Sequence, residues 1–450
     1  MHEENDNVKN QPVGQAYAEA KEFPEMLSTV TDPALEVFQI TTDLDGSSGR
    51  GGFFTPDSRR FIFRRQWEQG AQYSLCELAD GFRLRDLTDL AEKVAAPVVT
   101  PDSRALYYFT DESHLAKPRI LLKRLSLEDF RTEVVTVFDS VVPGVGRRPR
   151  AGGDPVRGMG GSASIRADGR MLCAGFNFVG DDGEDHFAPV FVDLQTLAIH
   201  GFAWEPYSWR VGGTYFPGSD PAHLRHLFFV RSHRSQHWDL QGNYTEKWYS
   251  DVRIGTLHVV DEDGTMVATV PIGGPGEGVD HPYWRGGCYE IVTHTSDFHT
   301  APHWRGVILC AAPMSCRSED MYKGNAIPGA KRRFELTRKI RRPDVCHMSW
   351  DLSGTRVVCD TEGWHGRGTP CLQGPAAYLY IGRVVQTSGQ DPILEPKYLL
   401  HPRSSWNSAY TENCPILAPD GRAVFFNSDW CGKFGVPQLF VVRGFIFPAA

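Results

Sequence analysis

Two histidines occupy matching places in neighbouring stretches of this chain. His281 lies in Gly278-Val279-Asp280-His281-Pro282-Tyr283-Trp284, directly before an apolar strand pattern, and His347 lies in Cys346-His347-Met348-Ser349-Trp350, before the next one. An imidazole with a pKa near 6.5 can take a proton as a general base or, when neutral, ligate a cation. A third cluster, within residues 401–415, puts Glu412, Asn413 and Cys414 at the corresponding place before a later strand. Glu and Cys are competent metal ligands, and Asn binds sugar hydroxyls or hard cations. In Asp251-Val252-Arg253, the guanidinium of Arg253 could clamp a carboxylate with two parallel hydrogen bonds. Arg403 and His237 are further candidates for substrate contact, with His233 a weaker one. Trp284, Trp350 and Trp406 could stack on sugar faces. Each has a plainer reading: a His bonded to a neighbouring loop, an Arg in a surface salt bridge, a Trp buried in a core.

Residues so far apart act together only if the fold converges them. Seven segments repeat one pattern of strand end, polar turn and apolar strand: 52–65, 97–111, 164–177, 220–232, 283–295, 348–361 and 415–429. In five of them the turn holds an aspartate, namely Asp57, Asp102, Asp168, Asp351 and Asp420; the fourth and fifth copies are degenerate. A sheet of four strands needs roughly 40–50 residues, so recurrence on this scale marks a radial or stacked architecture. The expected fold is all-β, a seven-bladed β-propeller over residues 34–450, with residues 1–33 as an N-terminal arm. The alternating pattern of residues 36–41 reads as a strand. Pairing it with residues 438–442 near the other end would close the ring and remove sheet edges.

The bulk numbers agree with this. The 450 residues include 45 Gly and 30 Pro, suited to a protein of many turns. A net charge of −8 gives no global basic field, so nucleic acid is not an expected partner, although a locally positive cleft could still take a polyanion. No run of 18 apolar residues suggests a membrane span, and the polar start of the chain does not read as a secretory signal. The ten Cys are scattered without a CxxC pair, as expected of small core residues in a reducing compartment, the cytoplasm. Two insertions interrupt the rhythm, at 230–253 and 316–343. The second holds nine Lys or Arg and is either a solvated loop or a substrate-facing surface. An acidic loop with Asp181, Asp182, Glu184 and Asp185 leaves open a hydrolase using paired carboxylates.

At these residues the chain resembles the oligogalacturonate lyases, the family 22 polysaccharide lyases, over about residues 37–442. The family's T-H-E-F-W-like segment carrying its catalytic His is matched by Asp280-His281-Pro282-Tyr283-Trp284. Its S-H-L-M-S-N-x-D-G-like segment with a metal-binding His is matched by residues 346–354, including His347. Its Arg before a strand ending N-E-D-G is matched by Arg253 ahead of Asp261-Glu262-Asp263-Gly264. Its H-x-T-S-W segment is matched by His401-Pro402-Arg403-Ser404-Ser405-Trp406. The resemblance implies a seven-bladed propeller that cleaves a uronate-containing oligosaccharide by β-elimination. It implies His281 as base, Arg253 at the uronate carboxylate, and a divalent metal, manganese in the family, near His347. The chain departs from the family where two ligating His of H-P-H-P are replaced by Glu412 and Cys414, and where Ala409 stands nearest to a ligating Gln. The alternative expectation is a non-catalytic propeller that binds carbohydrate or protein.

Overall fold

The computed structural model describes residues 14–449 except 18–19, 43–47, 68–69, 80, 117–118, 140, 143–153, 180–184, 203–212, 233–254, 274–279, 296–306, 315–332, 338–344, 362–376, 406–410 and 431–433. The repeated segments fold as hairpins. Asp57, Asp102, Asp168 and Asp420 each accept the N–H of the residue two further on, at 2.9–3.1 Å, and Asp351 accepts those of Thr355 and Arg356. A short carboxylate bonding its own backbone is what fixes such turns. A left-handed residue follows, directly after the aspartate at Ser58, Ser103, Gly169 and Gly421 and three positions after Asp351 at Gly354, with φ of 61–76°. The degenerate fifth copy has no turn aspartate. Its turn instead approaches the next one so closely that a Cβ on Gly286 would sit 2.3 Å from the Asp351 carbonyl oxygen.

These hairpins are the inner half of seven antiparallel sheets of four or five strands. Their first strands lie against one another: Asp280–Trp284 on Val345–Trp350, Val345–Trp350 on Ile416–Leu417, and Ile416–Leu417 on Ser48–Phe54. Apolar side chains alternate with this geometry to fill the seams. Seven buried clusters each join two adjacent blades, and together they run through every seam of the ring. Phe61 of the first blade stacks on Phe425 of the last, 4.0 Å between centroids and 4° from parallel. The closing pairing expected from the sequence is present: Glu36–Gln39 runs antiparallel to Gln438–Arg443, with Val37 opposite Val442. The described part of the N-terminal segment adds outer strands, Ala16–Tyr17 on Arg83–Asp86 and Lys21–Glu22 on Glu36–Gln39.

The hairpin turns share one face of the disc, where they bond blade to blade. Asp420 N–H donates to Ser58 Oγ, Asp57 N–H to Ser103 Oγ, and Gly287 N–H to the Leu352 carbonyl. The opposite face therefore carries the starts of the first strands and the ends of the second strands. No helix among the described residues is long and apolar enough to cross a membrane. The first insertion from 233, Asp181, Asp182 and Glu184, and the candidates Arg253, His237, His233 and Trp406 lie outside the described residues. Of the basic insertion only 333–337 is described, where Arg333–Glu335 forms the outer strand of the fifth blade.

Candidate functional site

Three consecutive blades place a reactive side chain at one equivalent position. His281, His347 and Cys414 each stand four residues before the residue that opens the hairpin turn, Arg285, Asp351 and Ala418 respectively. The strands are not regular there. Register shifts occur between Asp280 and Tyr283 and between Val345 and Met348, each opposite a single residue of the partner strand. Such bulges re-aim side chains at the rim of a sheet. His281 and Cys414 have φ of 46° and 41°, a conformation that costs energy in any residue but glycine. The result brings the His281 and His347 rings to 4.7 Å between centroids, tilted by 47°. The ring of His294, at the end of the second strand of the fifth blade, lies 6.3 Å from that of His281.

Asp360 holds this arrangement. It is fully buried on the strand Arg356–Thr361. One carboxylate oxygen accepts the backbone N–H of His347 at 2.7 Å, and the other accepts His347 Nδ1 at 3.0 Å and the Cys414 N–H at 3.2 Å. One side chain thus fixes groups from the sixth and seventh blades. With Nδ1 engaged, Nε2 of His347 faces Glu412 Oε2 at 3.4 Å and Cys346 Sγ at 3.8 Å. Burial, the largest single influence, would lower the pKa of His347, but the Asp360 carboxylate together with Cys414 and Cys346 outweighs it and raises the pKa well above its ordinary value. The possible donor atoms form three overlapping groups: His281 with His294 and Cys346; Cys346 with His347 and Asp360; and His347 with Glu412 and Cys414. Within each group they lie within 4.8 Å of one another.

Of the candidates read from the sequence, the structure thus brings His281 beside His347, and His347 beside Glu412 and Cys414. Asn413, between the last two, is wholly buried, and its carbonyl accepts the N–H of Asn427. Trp284 corrects the expectation of a stacking platform. It is 5% exposed, donates Nε1–H to the Thr214 carbonyl at 2.9 Å, and packs edge-on against Phe216 and Phe228, so no face is left for a sugar. Trp350 is partly buried against the seam between the fifth and sixth blades. Arg403 is exposed and lies over the Trp430 ring, 4.3 Å from its centroid.

Four residues of the pocket were missed as candidates: Asp360, His294, Cys346 and Tyr283. Asp360 had a readable signal, since Asp111 and Asp429 also fall at the ends of second strands. Asp111 likewise bonds across a seam, accepting the N–H of Met159, while Asp429 accepts those of Ser405 and Gly435. Tyr283 is 36% exposed. The crowded surroundings of its hydroxyl push its pKa up to about 12; His347 opposes this, and Cys414, Cys346 and Asp360 add to it. The phenol thus belongs to the same group of side chains.

The fold and the pocket define a closed seven-bladed β-propeller with an imidazole-rich mouth on the face opposite its hairpin turns. No family model and no curated protein matches the chain. Among solved structures it is similar to an oligogalacturonate lyase from Vibrio parahaemolyticus, with a TM-score of 0.61 and 16% identity over 96% of this chain and 98% of that one. It is equally similar in shape to an oligogalacturonate lyase in complex with manganese, with a TM-score of 0.61 and 17% identity over the same shares. At these identities the likeness establishes the fold alone, a seven-bladed β-propeller.

Proposed function

We propose that this protein is a carbon–oxygen lyase that cleaves a uronate-containing oligosaccharide by β-elimination. The observation that carries the reading is the convergence of His281 and His347, 66 residues apart (281 to 347), at 4.7 Å on one mouth of a propeller shaped like two oligogalacturonate lyases. In such a reaction a base removes the proton on C5, next to the carboxylate. The electron pair of that C–H bond forms the C4–C5 double bond, the C4–O bond breaks, and the leaving oxygen takes a proton. His281 is assigned as the base. Its bulged, left-handed backbone sets it apart from the regular strand and beside the pocket. Tyr283 is assigned as the proton donor to the leaving oxygen, since a phenol held near 12 stays protonated at neutral pH. Arg253 is assigned to the substrate carboxylate, whose charge must be offset before C5 becomes acidic.

A divalent cation at His347, Glu412 and Cys414 would offset the same charge as a Lewis acid. These residues fit a metal but not manganese in particular, because a thiol is one of three donors and manganese favours oxygen ligands. The replaced donors also favour a second reading, a propeller that binds acidic glycans without cleaving them. The partner in either case is an acidic oligosaccharide.

The two readings separate in one assay. Uronate-containing oligosaccharides are incubated with the protein, and the unsaturated product is followed by its ultraviolet absorbance. Turnover should appear and fall by about 10²–10⁴-fold in His281→Ala. Tyr283→Phe should lower kcat more than it changes KM. Unchanged turnover in His281→Ala removes the assigned base, and binding without product establishes the second reading.

A further inference from the structure

We propose that His347 Nε2, a carboxylate oxygen of Glu412 and the Cys414 thiolate form a three-donor site for a thiophilic borderline cation of the zinc type, rather than for manganese. The proposal concerns the pocket assigned to the lyase reading but is tested without substrate, so either can fail alone. Three observations separate this cluster from a chance meeting of polar groups.

The first is distance. A tetrahedral zinc site, with bonds of about 2.0–2.1 Å to nitrogen or oxygen and about 2.3 Å to sulfur, sets its ligand atoms roughly 3.4–3.6 Å apart. His347 Nε2 and Glu412 Oε2 already stand 3.4 Å apart, and a ring nitrogen of His347, a carboxylate oxygen of Glu412 and Cys414 Sγ all lie within 4.8 Å of one another. The second is support. Asp360 binds Nδ1 of His347 at 3.0 Å and so directs Nε2 into the group, the carboxylate–imidazole arrangement that orients metal-bound histidines. The same carboxylate takes the Cys414 N–H, so one buried side chain aligns two donors from separate blades. The third is backbone. Glu412 and Cys414 are two apart in a bent, irregular segment just before the strand Ile416–Leu417, which turns both side chains towards His347. Cys414 holds a φ of 41°, a strained state stabilised by the bond to Asp360. With three protein donors, a fourth position would be left for substrate or water. Imidazole and thiolate select zinc-like ions over manganese both by softness and by the usual affinity order.

The test uses the full-length chain stripped with a chelator and titrated with zinc, cobalt(II) or manganese chloride. Zinc should bind about one ion per chain, on the order of 100-fold more tightly than manganese. The cobalt(II) form should show a sulfur-to-cobalt charge-transfer band in the near ultraviolet. That band should persist in Cys346→Ser and vanish in Cys414→Ser. In Cys414→Asp, which keeps a donor at the same place, the ion should be retained and the band lost, so a folding defect in the serine variant cannot imitate the result. Tighter binding of manganese than zinc, absence of the band in the parent protein, or its survival in Cys414→Asp would overturn the assignment.

Discussion

At the scale of single residues, the pocket turns on the pairing of His347 with Asp360. Removing the carboxylate leaves a buried imidazole without the group that holds it, and the backbone N–H of His347 and of Cys414 lose their acceptor. Breaking such a buried pair costs about 3–5 kcal/mol. The sign of the pH dependence follows from the direction of the shift. His347 is raised in the folded state, so in the metal-free protein its contribution is fully present below its unfolded value of about 6.5 and is lost as pH climbs through the higher folded value. Melting temperatures of the metal-free protein should therefore decline on the alkaline side of about pH 6.5, and His347→Gln should flatten that decline. A profile identical in the two proteins would contradict the role given to Asp360.

At the scale of the element, the hairpin turn does two jobs. It fixes the length of the inner strand, which counts the reactive residue to the far mouth. It also ties each blade to the next. Gly286 shows how tight that tie is, because a Cβ there would meet Asp351 O at 2.3 Å and Gly354 N at 2.6 Å, both backbone atoms that cannot swing aside. Its φ of 52° adds strain for any other residue. Gly286→Ala should destabilise the protein by about 1–3 kcal/mol, seen as a lower midpoint in urea with little change in slope. The turn aspartates were legible in the sequence, since each bonds an N–H two to five residues on and needs no distant partner. The bulges at His281 and at Cys346-His347 were not. A register shift depends on which residues the neighbouring strand opposes, and no local pattern encodes that.

At the scale of the molecule, the ring is stable only when closed. Each blade buries its faces against its neighbours, and the last seam is sealed by Phe61 on Phe425 and by the strand Glu36–Gln39. Phe425→Ala should cost about 3–5 kcal/mol, and a chain truncated from its N-terminal side through the closing strand should expose the edge Gln438–Arg443 and aggregate. Size-exclusion profiles and thermal melts check both. A truncated chain that remains monomeric with an unchanged melting temperature would mean that closure contributes little.

The sequence alone determined the seven-fold repeat, the closing strand and the positions of His281, His347, Glu412 and Cys414, because turn chemistry and alternation of apolar residues act over a few residues. Only the tertiary structure decided that Trp284 is spent on the core, that Asp360 holds two blades, and that His294 lies beside His281. Those outcomes depend on which strand lies beside which. Contacts between residues tens of positions apart are made by the closing of the ring, and no stretch of the chain contains them.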